Sequence, residues 1–336
     1  MSKPPLLSLS PTELSSLLEG SGRSRDVFRS LKRGEDPFES ESLAFGSRNR
    51  LSRACEKTHA KLVKTVTAAD ETTKALLELH DGQMIETVMI PNPERTTLCV
   101  SSQVGCARAC DFCLTATMGL KRNLSCDEII AQVVVGIRES IRLGFPKVRN
   151  LVFMGMGEPL DNPKEVQRSL EILADDLGLE FGGRRITVST VGTHEQAILA
   201  AGKWPARLAW SLHAARDEVR KALIPTSKAS VKELRDWFMA ALNNRPLFVE
   251  MVLIENINDQ QNDIDACIEL FRDAPHEVRI NLLPMNFIGR PDLKPSPAQS
   301  VLHFRDCLRE AGYFCMIRRP RGEEERSACG QLAVVG

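Results

Sequence analysis

Gly105-Cys-Ala-Arg-Ala-Cys-Asp-Phe-Cys113 is the stretch that decides the fold of this chain. It places Cys106, Cys110 and Cys113 on one short loop with the spacing Cys-x3-Cys-x2-Cys, and no fourth cysteine completes the set. Three thiolates can bind three irons of a [4Fe-4S] cubane and leave the fourth iron open to a small molecule. A structural zinc site would need four protein ligands. The tight spacing favours the cluster over three core or reactive cysteines that lie together by chance.

Composition narrows the class of protein. The 336 residues include 44 basic and 44 acidic side chains, so a polyanion would have to bind at a local basic patch. Ten cysteines without a secretory signal predict a reducing, cytoplasmic setting. No apolar run approaches the length that spans a bilayer, which predicts that the chain has no membrane segment. A monomer is the default expectation.

The first 84 residues predict a small helical accessory domain. Ser10-Pro11-Thr12-Glu13 has the pattern of a capping box with proline at the first helical position. A second helix is expected near residues 25–32, and a longer charged helix near 51–64. Residues 85–336 are expected to form the main domain, with Cys329 in its C-terminal tail.

From residue 85 onward, short apolar runs alternate with amphipathic helices. Strands are expected at residues 97–101, 150–154, 185–189, 207–211, 247–253, 278–283 and 314–317. Such alternation specifies an α/β fold with a parallel sheet and helices outside it. About six repeats favour an open, partial (β/α)6 TIM-like barrel over a flat doubly wound sheet, although periodicity alone does not separate the two.

Polar residues gather where the expected strands end. They are Gly157, Glu158, Ser189, Ser211, His213 and Asn286. Each alone has a plain structural explanation, such as a helix cap, a buried histidine or a turn residue. Because the carboxyl ends of parallel strands meet at one mouth of a barrel, the whole set predicts a shared ligand site. Glu158 would suit an ammonium group there.

Two further cysteines lie outside the loop motif. Cys99 is on the strand that runs into the loop, and the pleat must direct it either into the barrel or toward the helices. Cys329 lies in Ser327-Ala-Cys-Gly-Gln331, after a basic stretch that begins at Arg318. Small neighbours permit a substrate to approach Cys329 closely, and nearby arginines would favour its thiolate.

Four motifs together resemble one known family. They are Arg95-Thr-Thr-Leu-Cys99-Val-Ser-Ser-Gln-Val-Gly-Cys106, Met154-Gly-Met-Gly-Glu-Pro-Leu160, Ser211-Leu-His213 and Ala328-Cys-Gly-Gln-Leu332. From about residue 86 to the C-terminus, the chain resembles the radical S-adenosylmethionine (SAM) adenine methyltransferases of ribosomal RNA, the RlmN/Cfr group. The sequence departs from the family pattern at Ala116, where a glycine is usual.

The resemblance implies a mechanism. One SAM methylates the Cys329 thiolate, and a second, bound at the open iron, is cleaved by an electron from the cluster. The resulting radical removes hydrogen from the methyl group on Cys329, and the carbon radical adds to an adenine ring carbon. Cys99 then forms a disulfide with Cys329 and releases the methylated base. Glu86 matches the family's proton acceptor.

Cofactors and site residues follow from the same resemblance. The cofactors are a [4Fe-4S] cluster held by Cys106, Cys110 and Cys113, and SAM. Family contacts to SAM carry over to Gly157, Glu158, Ser189, Ser211, Leu212, His213 and Asn286.

The implied substrate is RNA, with the adenine C2 position in 23S rRNA favoured, and C8 methylation or a tRNA substrate left open. Basic residues that suit RNA are Lys121, Arg122, Arg184, Arg185, Arg318, Arg319 and Arg321. A flavodoxin system is the expected electron donor. Two other functions stay open, namely a radical SAM enzyme with a different substrate and a non-catalytic metal protein that binds RNA.

Overall fold

The computed structural model describes residues 3–318, 321–322 and 324–334. Three helices lie near the N-terminus, α1 (Pro11–Leu17), α2 (Ser21–Lys32) and α3 (Phe45–Ala54). The predicted capping box forms, because the Ser10 amide donates to Glu13 Oε2 at 2.8 Å and the Glu13 amide donates to Ser10 Oγ at 3.3 Å. Proline at the first helical position lacks the amide hydrogen that would otherwise be unpaired there.

The prediction of a wholly helical region before residue 85 is wrong from residue 60 onward. Strands β1 (Ala60–Thr67), β2 (Thr73–Leu79) and β3 (Met84–Asn92) follow α3 and pair antiparallel with one another. In β2, buried residues alternate with half-buried ones, which is the period of a strand rather than a helix. A domain boundary at residue 85 stays a prediction, and β3 runs across that point.

Seven parallel strands form the rest of the main sheet. Two short strands, β5 (Gln103–Gly105) and β6 (Leu120–Asn123), pair antiparallel as a separate hairpin. The parallel strands of the main sheet are β4 (Arg95–Cys99), β7 (Val148–Phe153), β8 (Ile186–Thr190), β9 (Arg207–Ser211), β10 (Leu247–Leu253), β11 (Val278–Pro284) and β12 (Phe314–Ile317). Their order in the ten-stranded sheet is β1-β2-β3-β4-β7-β8-β9-β10-β11-β12, and the end strands β1 and β12 are not neighbours. The expected open, partial barrel is confirmed, with three added antiparallel strands on one side.

Helices connect the parallel strands. They are α4 (Leu114–Thr117), α5 (Cys126–Arg142), α6 (Pro163–Ala174), α7 (Glu195–Ala201), α8 (Asp217–Leu223), α9 (Val231–Leu242), α10 (Gln261–Phe271) and α11 (Ala298–Glu310). Capping boxes at Ser125 and Ser230 begin α5 and α9, as their sequences predict. Within the described ranges, no helix has both the length and the apolar character that crossing a membrane requires.

Alternation along each strand separates the packed face from the barrel interior. In β10, Leu247, Val249 and Leu253 are fully buried against the helices, whereas Phe248 and Glu250 face inward. Trp210 of β9 points outward in the same way, since its ring stacks on Phe238 of α9 at 5.2 Å. Inward residues therefore line an open interior with two ends, and the carboxyl ends of the strands form its mouth.

Candidate active site

The three motif cysteines lie on the loop between the short strand β5 and helix α4. The loop turns back on itself at Gly105, whose φ is +77° and whose missing side chain makes room for the Gly119 carbonyl oxygen. The Cys106 amide then donates to that same oxygen at 3.2 Å. This close crossing directs all three cysteines into one cavity at the mouth of the barrel.

The chemistry of these thiols fits a cationic cluster. Burial raises the pKa of Cys106 to about 11 and also raises the pKa of Cys110 and Cys113, so thiolates are unfavourable here without bound cations. No group of three or more His, Cys, Asp or Glu residues, among those described, is arranged to hold a single metal ion. A cubane needs a different arrangement, because each cysteine ligates a separate iron. The three-cysteine spacing matches one ligand to each of three irons of a cubane.

The cavity has about 970 Å³ of empty space, including its open mouth. The structure brings together nearly all of the residues predicted for it. In addition to the three cysteines, its walls include Gly157, Glu158, Ser189, Ser211, His213, Asn286 and Cys329.

Glu158 is the buried carboxylate of this cavity. Its Oε1 accepts from the Leu160 amide at 2.9 Å and its Oε2 from the Val191 amide at 3.0 Å, so both oxygens are held in place. Burial raises the pKa of Glu158, and the hydrogen bonds only partly oppose that effect. A bound ammonium group would supply the missing positive charge. Gly157 lies beside it with φ +99°, where an added Cβ would come within 2.6 Å of Gln103 Cβ.

His213 is a neutral hydrogen-bond donor toward the cavity. Burial, with a smaller contribution from Arg220, lowers the pKa of His213 to about 3. Its Nδ1 accepts from the Val252 amide at 3.1 Å, which leaves the proton on Nε2. The ring packs against Phe112 of the cysteine loop at 4.6 Å between centroids. A histidine between the cysteine loop and the barrel wall can thus orient a ligand without carrying charge.

The other predicted ligand contacts differ in character. Ser189 and Ser211 share a hydrogen bond of 2.8 Å between their hydroxyl groups. Leu212 is fully buried and its amide donates to the Glu250 carbonyl, so its side chain contributes packing. Asn286 donates to the Cys329 carbonyl at 3.0 Å, while its own Oδ1 is buried without a partner among the described residues. An unpartnered buried oxygen is costly, and a bound ligand would satisfy it.

Cys99 and Cys329 meet at a second cavity that adjoins the first. Cys329 lines both cavities, and Cys99 lines the second together with Asn286 and Arg318. Both thiols are free. Burial, with a smaller effect of the Cys329 charge, raises the pKa of Cys99 to about 12. The surrounding walls also raise the pKa of Cys329, and Arg318 opposes this without outweighing it, so the predicted thiolate-favouring effect of the arginine is only partial.

Hydrogen bonds fix the C-terminal tail across the mouth. The Leu114 amide donates to the Gly330 carbonyl at 2.7 Å, and Thr115 Oγ1 donates to the Leu332 carbonyl at 2.5 Å. Gln331 Nε2 donates to the Phe287 carbonyl at 2.9 Å. Leu114 and Thr115 begin α4, directly after Cys113. Cys329 is therefore anchored to the same segment that carries the cluster motif.

Glu86 is not brought into either cavity. It lies in a separate pocket beside Lys64, Lys74 and Arg326, and its Oε1 is 3.0 Å from Lys74 Nζ. Burial raises the pKa of Glu86, although Lys74 opposes the effect, and Oε2 has no hydrogen-bond partner within the described chain. Since Val88 pairs with Cys99 in the antiparallel register of β3 and β4, Glu86 lies on the same face of the sheet as Cys99.

Sequence reasoning missed Glu250 and Arg318 as a pair. Glu250 is buried in the wall of the first cavity, accepts from Asn281 at 2.9 Å and lies 3.2 Å from Arg318 Nη1. Burial raises the pKa of Glu250 despite that partner. A single acid in the apolar run Leu-Phe-Val-Glu-Met-Val-Leu was the signal that could have identified it.

Three of the seven predicted basic RNA contacts are engaged within the protein. Arg122 forms ion pairs with Asp81 and Glu128, Arg318 pairs with Glu250, and Arg321 donates to two backbone carbonyls. Lys121, Arg184 and Arg185 are exposed. Arg319 lies outside the described residues.

Comparison with known proteins agrees with this geometry. Residues 100–268 match the Radical SAM superfamily. The chain is 40% identical over 324 residues to "Dual-specificity RNA methyltransferase RlmN" of Syntrophobacter fumaroxidans, covering 94% of this chain and 92% of that one. It is 35% identical over 337 residues to "Probable dual-specificity RNA methyltransferase RlmN" of Dictyoglomus turgidum, with 97% and 96% coverage.

A solved structure shares the whole architecture. The "radical SAM methyltransferase from Sphaerobacter thermophilus" has a TM-score of 0.89 and 34% identity, with 98% of this chain and 99% of that chain covered. The match extends over the N-terminal helices and the added strands as well as the barrel. The resemblance stated from the motifs is confirmed, and the chain belongs to the RlmN family of radical SAM RNA methyltransferases.

Proposed function

We propose that this protein methylates an adenine ring carbon in RNA, with Cys329 as the methyl carrier and Cys99 as the thiol that releases the product. The observation that carries the proposal is the pair of adjoining cavities that share Cys329. One cavity holds the three motif cysteines, and the other holds Cys99. A carrier thiol at their junction can receive a methyl group on one side and deliver it on the other.

The radical SAM family to which the chain belongs uses a [4Fe-4S] cluster and SAM. In this proposal Cys106, Cys110 and Cys113 hold the cluster. Glu158 accepts hydrogen bonds from the SAM ammonium group, and His213 Nε2 and the free Oδ1 of Asn286 are further polar contacts. When bound, the two cofactors supply a methyl group and a radical that activates it. The protein's own residues position, shield and release that methyl group.

Cys329 acts first as a nucleophile. Its thiol is less acidic than a free thiol, and the charge of Arg318, which pairs with Glu250, favours a developing thiolate. Tethering the methyl group to the tail also replaces a second bimolecular encounter with a reaction inside one cavity. A ring carbon of adenine is too electron-poor to attack a methyl sulfonium directly, which is why a carrier is needed.

Cys99 completes the reaction. The adduct of the carrier carbon with the ring would first lose the ring proton and return its unpaired electron to the bound cluster. The Cys99 thiolate then attacks the Cys329 sulfur, a sulfur–sulfur bond forms, and the bond from Cys329 sulfur to the methyl carbon breaks. The electron pair of that bond stays with the base, which takes up a proton to give the methyl group. An external dithiol must then reduce the disulfide. Glu86 is proposed as the proton acceptor at the ring carbon on the strength of its family position and its place on the Cys99 face.

The substrate is proposed to be 23S rRNA, methylated at C2 of an adenine. A tRNA substrate is also included, since relatives carry the words "dual-specificity RNA methyltransferase" in their names. We further propose a flavodoxin-type electron donor, a cytoplasmic location and a monomeric state.

Mass spectrometry of digested rRNA and tRNA tests the proposal. Cys329→Ala should abolish methyl transfer, because no other described thiol lines both cavities, and Cys99→Ala should leave RNA covalently attached to Cys329. Cys307→Ala is the matched control, since Cys307 lies on α11 away from both cavities and should leave methylation unchanged. Methylated adenine in RNA treated with the Cys329→Ala protein would overturn the carrier role.

A further inference from the structure

Four arginines converge on the barrel interior at the end opposite the candidate active site. Arg95, Arg185, Arg207 and Arg279 lie at or next to the beginnings of β4, β8, β9 and β11. Those strands are parallel members of one sheet, so their amino ends share one edge. Together with Asn150, Phe248 and Phe314, these side chains form what we term the arginine ring.

Side-chain contacts show that the ring faces inward. The Arg207 guanidinium lies 5.3 Å from the centre of the Phe248 ring, and that of Arg279 lies 5.8 Å from the same ring and 5.6 Å from Phe314. Phe248 precedes the cavity-lining Glu250 by two residues, so both project from the same face of β10. The aromatic faces thus fix the orientation of two guanidinium groups at the lower opening of the barrel.

The other half of the ring is organised by Asn150. Its amide oxygen accepts either from Arg185 Nη1 at 3.4 Å or, with the amide turned over, from Arg95 Nε at 3.1 Å. Arg185 and Arg207 are exposed, as is Phe314, at 51%. The ring is therefore open to solvent and available to a large ligand.

Acidic residues compensate little of this charge. Glu94 and Glu277 pair with Arg95 and Arg279, but both carboxylates are more than half exposed, and such pairs contribute little. Within the described part of the chain, Arg185 and Arg207 have no acidic partner. In addition to burial, the charges of Arg279, Arg184 and Arg185 lower the pKa of Arg207, which reflects repulsion among neighbours. Guanidinium groups gathered in this way favour an anion between them.

We propose that the arginine ring binds the phosphodiester backbone of the RNA substrate, at a segment remote from the adenine that is methylated. This rests on the proposed function. Because the protein's net charge is zero, RNA must be held by local charge, and two other basic candidates, Arg122 and Arg318, are engaged in internal ion pairs. Planar guanidinium groups match phosphate geometry, and the exposed Phe314 offers a face on which a base can stack.

The spacing suits a structured RNA. Strands of five to seven residues separate the ring from the mouth, which is roughly 17–23 Å at about 3.3 Å per residue. A folded RNA domain extends well beyond that distance. One RNA molecule can therefore contact both ends of the barrel.

The test is the salt dependence of RNA binding and the steady-state kinetics of the reconstituted enzyme. Arg185→Ala/Arg207→Ala should reduce the slope of log affinity against log salt by about 1.4–1.8, since each lost phosphate contact accounts for about 0.7–0.9. KM for RNA should rise several-fold, while kcat and the RNA-independent cleavage of SAM stay unchanged. Arg185→Lys/Arg207→Lys should restore most of the slope. Lys232→Ala/Arg272→Ala, which removes two exposed charges from the outer helices, should behave as wild type.

Three results would overturn the inference. An alanine pair with wild-type slope and KM would remove the ring from RNA binding while RNA methylation stands. Loss of kcat or of SAM cleavage would show a structural role instead. If inorganic phosphate bound at the ring and the alanine pair lost that binding but kept the RNA slope, the ring would be a small-anion site. Failure of the wild-type enzyme to methylate any RNA is a separate result, and it would overturn the proposed function.

Discussion

At the scale of single residues, Gly157 shows how closely the ligand wall is built. Its φ of +99° is one that residues with a side chain rarely adopt, and Gln103 fills the space where a Cβ would lie. Gln103 in turn accepts from the Glu158 amide at 2.9 Å and donates to Asn123 at 2.7 Å. The position of the buried carboxylate therefore depends on the absence of one methyl group in the preceding residue.

Gly157→Ala should destabilise the protein by about 2–3 kcal/mol, since it combines an unfavourable backbone conformation with steric overlap. Thermal or urea unfolding measures the effect. Gly119→Ala is a matched control, because Gly119 also has positive φ but nothing lies within 4 Å of its added Cβ. It should cost only the conformational part, about 1 kcal/mol. Equal losses in the two variants would contradict the packing argument.

At the scale of secondary structure, the sequence predicted the elements with a clear period and failed at the edge of the sheet. The strands after residue 85 were identified because their apolar runs are short and their flanking helices carry caps such as Ser125 and Ser230. Strand β1, Ala-Lys-Leu-Val-Lys-Thr-Val-Thr, is an edge strand with no fully buried residue. Its charge and lack of a buried face gave it the appearance of a surface helix.

An ion pair between Glu128 and Arg122 holds the N-terminus of α5 against β6. Glu128 is almost fully buried, and its carboxylate accepts from Arg122 of β6 at 2.7 and 2.9 Å and from the Ser125 amide at 3.0 Å. Burial alone would raise the pKa of Glu128, but Arg122 and the Ser125 amide outweigh it and lower the pKa. The carboxylate form is thus the one that joins helix α5 to the β5–β6 hairpin.

Glu128→Gln should lower the free energy of unfolding by about 1.5–3 kcal/mol at neutral pH, because it removes charge-assisted hydrogen bonds to Arg122, which keeps only Asp81 as an ionic partner. Wild-type stability should fall as pH drops below the ordinary glutamate pKa, 4.5, since the unfolded state then binds a proton that the folded state resists. The variant should lack that part of the decline. Glu233→Gln, at the same capping position of α9 but exposed, should change stability and pH dependence far less. Denaturant titrations between pH 3 and 7 measure both quantities.

At the scale of the whole molecule, parallel strands made much of the site predictable. Six polar residues that are distant in sequence were expected to meet because strand ends converge, and the structure brings them to one cavity. The second cavity could not be foreseen, since it depends on how the tail folds back over the mouth. Glu250 and the grouping of the four ring arginines were missed for a related reason, although Arg185 alone had been named as a basic residue that suits RNA. Glu250 lies in a strand interior and the ring arginines at strand beginnings, where an inward side chain is apparent only once the barrel is formed.

Removal of residues 327–336 tests whether the barrel binds the cofactors without the tail, while methyl transfer requires the tail. The truncated protein should still bind its cluster and cleave SAM reductively, because the motif cysteines and most ligand-lining residues belong to the barrel. It should transfer no methyl group to RNA, since Cys329 is gone. Iron content, deoxyadenosine release and RNA methylation are the three measurements. Methylation by the truncated protein would contradict the assignment of Cys329 as the methyl carrier. The full-length Cys329→Ala variant is the control, since it shows whether a loss of SAM cleavage comes from the missing segment rather than from the missing thiol.

The two hydrogen bonds from Leu114 and Thr115 to the tail have a consequence for damaged enzyme. If oxygen removed iron from the motif cysteines, the cysteine loop would become less ordered. The tail segment that carries Cys329 would then lose the two hydrogen bonds that anchor it. Electron source and methyl carrier would then fail together. An enzyme molecule without its cluster would therefore be inactive, and no RNA would remain covalently attached to Cys329.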